Sequence, residues 1–149
     1  MGAVTVLLFL AAAPIACDQV QQQLTGAKDQ GPALNSLRTT LSDKRTRLSN
    51  AVASGNMDFV PSYLNDMRTT LDSLEVQAGK MSILDSQEMK LKVASARRAV
   101  TAADPFIMQN DVEGVKGAQR SLDTILFEID GILVKAIGMT DAPAVGGGS

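Results

Sequence analysis

One thiol and no imidazole bound the chemistry open to this chain. Cys17 is the only cysteine among 149 residues, and histidine is absent. Ferritin-like di-iron bundles need Glu-x-x-His pairs, and haem bundles need an axial histidine. Hydrolytic triads use an imidazole base, and Cys/His zinc sites need several such ligands. None of these can be built here. Sixteen Asp and Glu are present, but no spacing singles out a pair for acid–base work. The methionines beyond Met1 lack a close Met-x-x-Met spacing, and Met67 and Met89 fall on apolar stripes, so core filling is expected rather than soft-metal binding. Four Phe, one Tyr and no Trp give no basis for an aromatic-lined sugar or base site. A net charge of −2 supplies no basic field for nucleic acid. The composition points away from an enzyme and names no catalytic residue, metal or cofactor.

The surroundings of Cys17 are more specific. No charged side chain precedes Asp18, and residues 3–16 form an apolar run of the length of a signal h-region. At ~1.5 Å per residue the run reaches about 21 Å, short of a ~30 Å hydrocarbon core, so an export signal fits better than a permanent span. Its end, Pro14-Ile15-Ala16-Cys17, resembles the lipobox of bacterial lipoproteins, usually Leu-Ala-Gly/Ala-Cys, with Pro14 standing where leucine is usual. The resemblance covers the leader only. It implies that residues 1–16 are removed and that Cys17 becomes a lipidated N-terminus anchored to a membrane. Each buried methylene then contributes about 0.8 kcal/mol, and two or three chains hold firmly where one is marginal. In many Gram-negative lipoproteins an aspartate after the cysteine favours inner-membrane retention, a sorting role that Asp18 would fill. The alternative is an ordinary signal that ends at Cys17, giving a soluble secreted protein.

The rest of the chain supplies the elements. Residues 17–31 read as a polar, glutamine-rich tether or helical extension, and 32–138 as the folded domain. Leu34, Leu37, Leu41, Lys44, Leu48 and Ala51 recur at spacings of three and four, the mark of an amphipathic helix. It stops at Ser54-Gly55-Asn56, with Gly55 suited to a left-handed cap. A second helix opens at Asp58, carries Val60, Leu64, Met67, Leu71, Leu74 and Ala78, and ends at Gly79. Ser82 and Asp85 resemble a capping box for a third, with Met89, Val93, Ala96, Val100 and Ala103 as its stripe. Asp104-Pro105 is expected to break or kink it. Asn110 and Glu113 resemble a second box, followed by Val115, Ala118, Leu122, Ile125, Ile129, Ile132 and Ala136, up to Gly138. Residues 139–149 form a small, glycine-rich tail expected to be flexible. With strand signals absent and links short, the fold class is all-α: an antiparallel up-down-up-down four-helix bundle crossing near 20°.

Three features go beyond that frame. On the fourth helix Leu126, Phe127, Leu133, Val134 and Ile137 add apolar surface around the stripe. Phe127, Leu133, Val134 and Ile137 are therefore the candidate anchors of a partner-binding face, unless Val20 and Leu24 or Phe106 and Ile107 fold over it. Leu34-Asn35-Ser36-Leu37-Arg38-Thr39-Thr40-Leu41 recurs as Leu64-Asn65-Asp66-Met67-Arg68-Thr69-Thr70-Leu71, identical at six of eight positions. The repeat reads as shared bundle patterning rather than a duplicated binding surface. Lys44, on a core stripe, needs a carboxylate if buried, and is expected to reach outward instead.

The expected function is that of a membrane-tethered helical bundle in the cell envelope. It would contact an envelope protein, as an adaptor, assembly factor or inhibitor, and homodimerisation would be a way to complete its core. The alternative is a carrier or sensor whose core alanines, Ala96, Ala99, Ala103 and Ala118, leave room for a small ligand.

Overall fold

The structure, a computed structural model, describes residues 30–141. Four helices make it up: α1 (Gly31–Ala53), α2 (Val60–Ala78), α3 (Ile83–Met108) and α4 (Val112–Asp141). Each packs its backbone on two neighbours, α1 on α2 and α4, α3 on α2 and α4, while the diagonal pairs lie farther apart across the core. This is an all-α four-helix bundle. Among the described residues no helix is long and apolar enough to cross a membrane. The signal segment, Cys17, Asp18, most of the tether and the end of the tail lie outside the described residues.

The periodic apolar positions become the core. Leu34, Leu41 and Leu48 of α1 meet Leu64, Met67, Leu71 and Leu74 of α2, Met89, Val93 and Val100 of α3, and Leu122, Ile129 and Leu133 of α4. All are at most 3 % exposed, and burying each contributes about 1.5–3 kcal/mol relative to solvent. The core alanines draw the helices together. The void lined by Leu48, Leu64, Ala99, Ala103, Ala118 and Leu122 measures about 10 Å³, space for one water and no more.

The helix ends follow from local chemistry. Gly55 takes the left-handed conformation, φ 69°. Its N–H donates to Val52 O at 3.2 Å and that of Asn56 to Ala51 O at 2.9 Å, the paired bonds of a Schellman motif. Ser82 Oγ accepts the Asp85 N–H at 3.2 Å and donates to Asp85 Oδ2 at 2.7 Å, so the box that opens α3 is formed.

At the α3–α4 turn one expectation is narrowed and one corrected. Of the break or kink expected at Asp104-Pro105 there is no break, and α3 continues to Met108 with Pro105 inside it. Proline there forfeits one hydrogen bond, while Phe106 and Ile107 beyond it pack against the core and hold the last turn. Asn110 does not cap α4. It sits at φ 53° and closes α3, donating to Ile107 O at 3.0 Å, while the Asp111 N–H donates to Phe106 O at 2.8 Å. This is a second Schellman motif, with Asn in the left-handed place it tolerates better than most residues. Asp111 is the cap, its Oδ1 accepting the Gly114 N–H at 3.0 Å.

Ion pairs cross every seam. Lys44–Asp66 joins α1 to α2 at 2.9 Å. Arg45–Asp123 at 2.9 Å and Arg38–Asp130 at 2.6 Å join α1 to α4. Arg68–Asp104 at 2.9 Å and Arg97–Glu75 at 2.6 Å join α2 to α3. Lys92–Glu128 at 2.7 Å and Lys135–Asp85 at 2.9 Å join α3 to α4. Across α1/α4, α2/α3 and α3/α4 one residue number rises as its partner's falls, so the helices on those seams run in opposite directions. Most of these pairs are partly solvated and add little stability singly. Their consequence is register.

Candidate functional site

The outer face of α4 divides the four candidate anchors. Phe127 is 71 % exposed and Val134 46 %, one heptad apart on the side away from the core. Leu133 is fully buried, as is Leu126 nearly so. This corrects Leu133 as a surface anchor: with Ile129 and Ile132 it broadens the apolar stripe that α4 buries in the core. Ile137 is partly buried against the core. The strip exposed on α4 is therefore Phe127 and Val134. Gly131 lies between them in sequence, and a Cβ built on it would meet nothing within 4 Å. Phe106 does not cover the strip. It packs on Gly114 near the start of α4, where an added Cβ would come 2.5 Å from Phe106 Cγ.

A second exposed pair was missed in the sequence. Leu84 and Leu91 of α3 both stand in solvent. Each directly precedes a residue that pairs across the seam, Asp85 or Lys92. Phe127 and Val134 likewise precede Glu128 and Lys135, the other halves of those pairs. The α3/α4 seam is thus flanked by an apolar pair on each helix. The signal was available, since both pairs share the seven-residue spacing that keeps side chains on one face of a helix.

Between the flanks lies a buried carboxylate. Asp85 is only 4 % exposed. The hydrogen bond from Lys135 Nζ, followed by that from Ser82 Oγ, holds its carboxyl below the ordinary carboxylate value despite burial. Hydrogen bonding to Asp85 in turn raises the Lys135 ammonium. Both groups are fully engaged with one another, and the arrangement locks the start of α3 to the end of α4.

The repeated octapeptide is also committed internally. Arg38 reaches Asp130 of α4, and Arg68 reaches Asp104 of α3 through bonds of 2.9 Å to both carboxylate oxygens. The two arginines tie α1 and α2 to the other two helices and face no shared surface. Lys44 is partly buried and finds a carboxylate in Asp66, so it pairs where it was expected to extend into solvent. These residues border a groove of about 270 Å³ on the α1/α2 seam, lined by Thr40, Lys44, Asp66, Thr69, Thr70 and Ser73. Each of its hydroxyls donates to the carbonyl four residues back, at 3.0–3.2 Å. No side-chain donor of Thr or Ser remains for a ligand there.

Among the described residues no three Cys, Asp or Glu side chains are placed to hold a metal ion. Every buried side-chain nitrogen and oxygen among them has a partner. Comparison with known proteins adds nothing further: no family model, curated protein or solved structure matches the chain.

Proposed function

We propose that this chain is a non-enzymatic lipoprotein of the cell envelope, tethered through Cys17 and acting by contact with another envelope protein through the outer face of α4. The observation that carries the contact is the exposure of Phe127 and Val134, one heptad apart beside the open backbone of Gly131. Large apolar side chains grouped on one face, with polar groups already paired around them, suit a protein partner. The polar groups around the strip support this, because Glu128 and Lys135 are engaged across the α3 seam and leave the strip itself uncharged. In this reading the tether places the bundle on the outer side of the inner membrane, with Asp18 as the retention signal. A small-ligand carrier has less support, since the interior void is the size of a single water.

The test is in-cell crosslinking from position 127, followed by Phe127→Asp. Partner capture should be lost while helicity and melting stay unchanged, because the side chain makes few internal contacts. Undiminished capture by the Phe127→Asp variant refutes the assignment of this face.

A further inference from the structure

The exposed apolar side chains are distributed unequally between the two ends of the bundle. At one end α2 finishes, α3 begins, α4 finishes and the chain arrives from its N-terminal segment. Gln30 marks that arrival, its Nε2 donating to Lys80 O at 2.9 Å in the α2–α3 turn. Around this turn Val76, Ile83 and Leu84 stand in solvent, the last two 74 % and 77 % exposed. Exposed Lys80 lies between them in sequence. The far end carries Phe59, which stacks on Tyr63, and Met108.

Nothing in the fold requires Ile83 and Leu84 to be apolar. They occupy the first two positions of α3, where polar and acidic residues suit the helix N-terminus better. The start of the helix is already secured by Ser82 and Asp85. Adjacent isoleucine and leucine pointing into water at a helix start gain nothing from the bundle itself.

We infer that the α2–α3 turn is a membrane-contact surface, in which Ile83, Leu84 and Val76 bed into the boundary between headgroups and acyl chains, with Lys80 among the headgroups. The inference rests on the reading of Cys17 as a lipid anchor. Twelve residues separate Cys17 from Gln30, a tether of at most about 45 Å when extended and about 20 Å when helical. Gln30 bonds to the turn itself, through Lys80 O, so the chain enters the bundle at its apolar end, within reach of a lipid on Cys17. A bilayer is the occupant that fits. Two adjacent aliphatic side chains with a lysine close by suit the boundary between acyl chains and headgroups. With that end on the membrane, the α3/α4 flank stands along the membrane normal and stays open to a protein.

The test uses the full chain expressed with its leader in a bacterium, with intact mass read on the membrane fraction. A fluorophore is placed on Ile83→Cys, Leu84→Cys or Met108→Cys, and quenching by lipids carrying a spin label at the top of the acyl chain is measured. Strong quenching at 83 and 84 with little at 108 is the expected result. Equal quenching at both ends, or none at 83 and 84, overturns the proposal even where the acyl mass on Cys17 is found. If Cys17 carries no acyl mass, the lipoprotein reading fails separately. The same labelled chain is then mixed with vesicles of phosphatidylethanolamine and phosphatidylglycerol. Quenching confined to 83 and 84 still supports the contact surface, and its absence overturns it. Ile83→Asp and Leu84→Asp should each weaken partition by about tenfold, whereas Met108→Asp should leave it unchanged. A weakening by Met108→Asp equal to that of the other two refutes the assignment of this end.

Discussion

Two glycines of α4 should respond to the same substitution with opposite signs. At Gly131 a methyl group would enter open space. Gly131→Ala therefore removes only the conformational penalty of glycine in a helix and should stabilise the bundle by about 0.5–1 kcal/mol. At Gly114 the new Cβ would lie 2.5 Å from Phe106 Cγ, closer still to Cδ1, and 2.7 Å from Asp111 Oδ2. No real Cβ tolerates these distances, so the ring and the carboxylate must both move. Phe106 is half-buried against the core, and displacing it forfeits about half of a full phenylalanine burial, about 1–1.5 kcal/mol. Moving Asp111 weakens the cap it gives the Gly114 N–H at 3.0 Å, which costs about 1 kcal/mol. Against a propensity gain of about 0.5–1 kcal/mol, Gly114→Ala should destabilise by a net of about 1–2 kcal/mol. The two variants should differ in Tm by roughly 6–12 °C, taking about 4 °C per kcal/mol. Urea titration followed by circular dichroism reads both at once, with an unchanged slope showing that the fold is kept. In a Phe106→Ala background the cost of Gly114→Ala should shrink to that of the cap alone. A Gly114→Ala protein as stable as the parent, or an equal penalty in both backgrounds, refutes the packing described here.

Asp85→Asn removes a carboxylate held by Lys135 and Ser82, and should destabilise by about 1–3 kcal/mol at neutral pH. Because the folded state lowers the Asp85 pKa, the unfolded chain binds more protons as pH falls through that range. Its contribution is thus full above the ordinary carboxylate value of about 4 and is lost toward the lowered folded value, so parent and Asp85→Asn should converge in stability in strong acid. The raised Lys135 works in the other direction: its contribution is present below its ordinary value and lost as pH rises through the raised one, which thermal scans at alkaline pH would detect. Leu133→Ala should cost about 2–4 kcal/mol, as a buried leucine does, while Val134→Ala should change stability by less than about 0.5 kcal/mol; similar losses from both would contradict the division of α4 into buried and exposed faces. Gly131→Ala, predicted to stabilise, should nevertheless reduce partner capture if another backbone approaches α4 there, and unchanged capture would restrict the contact to Phe127 and Val134.

Helix positions and most core residues were legible because a single rule, the three-four spacing of apolar residues, governs both. That rule alone assigns Leu64, Met67, Leu71 and Leu74 to the interior, and all four are there. It falls short on α4. Leu133 lies off the stripe as drawn by that spacing, yet α4 buries Leu126 and Leu133 beside Leu122, Ile129 and Ile132. The α3–α4 turn escaped for a different reason. Asn suits both a helix N-cap and a left-handed C-terminal position, and only the bonds of Asn110 and Asp111 back to α3 decide between them. Lys44 shows a third limit: the spacing placed it on the core side, but its partner, Asp66, belongs to another helix and has no sequence signal of its own. The candidate site was half legible: Phe127 and Val134 followed from excess apolar surface, whereas Leu84 and Leu91 share the seven-residue spacing but gain meaning from their placement beside the same seam.

The pairing pattern bears on function through what it leaves over. The octapeptide repeat, the clearest internal similarity in the chain, spends its arginines on Asp130 and Asp104. Its threonines donate to carbonyls four residues back, Thr39 and Thr40 in α1 and Thr69 and Thr70 in α2. Its outer leucines, Leu34 and Leu41, then Leu64 and Leu71, are all in the core. Each copy makes the same kinds of interaction with a different neighbour, α4 for the first and α3 for the second, as expected of a segment selected for bundle packing. Arg38, Lys44, Arg45, Arg68, Lys92, Arg97 and Lys135 are likewise paired with carboxylates along the four seams. Fold-keeping thus absorbs these groups, while the exposed large aliphatic and aromatic side chains fall outside it. Ile83, Leu84, Leu91, Phe127 and Val134 contribute little to the core, and none is required by a helix end. Selection for folding alone would favour polar residues at these places, because they lower the risk of aggregation without loss of packing. Their exposure is the observation on which the proposed contacts rest, along α3 and α4 and at the end where the tether arrives.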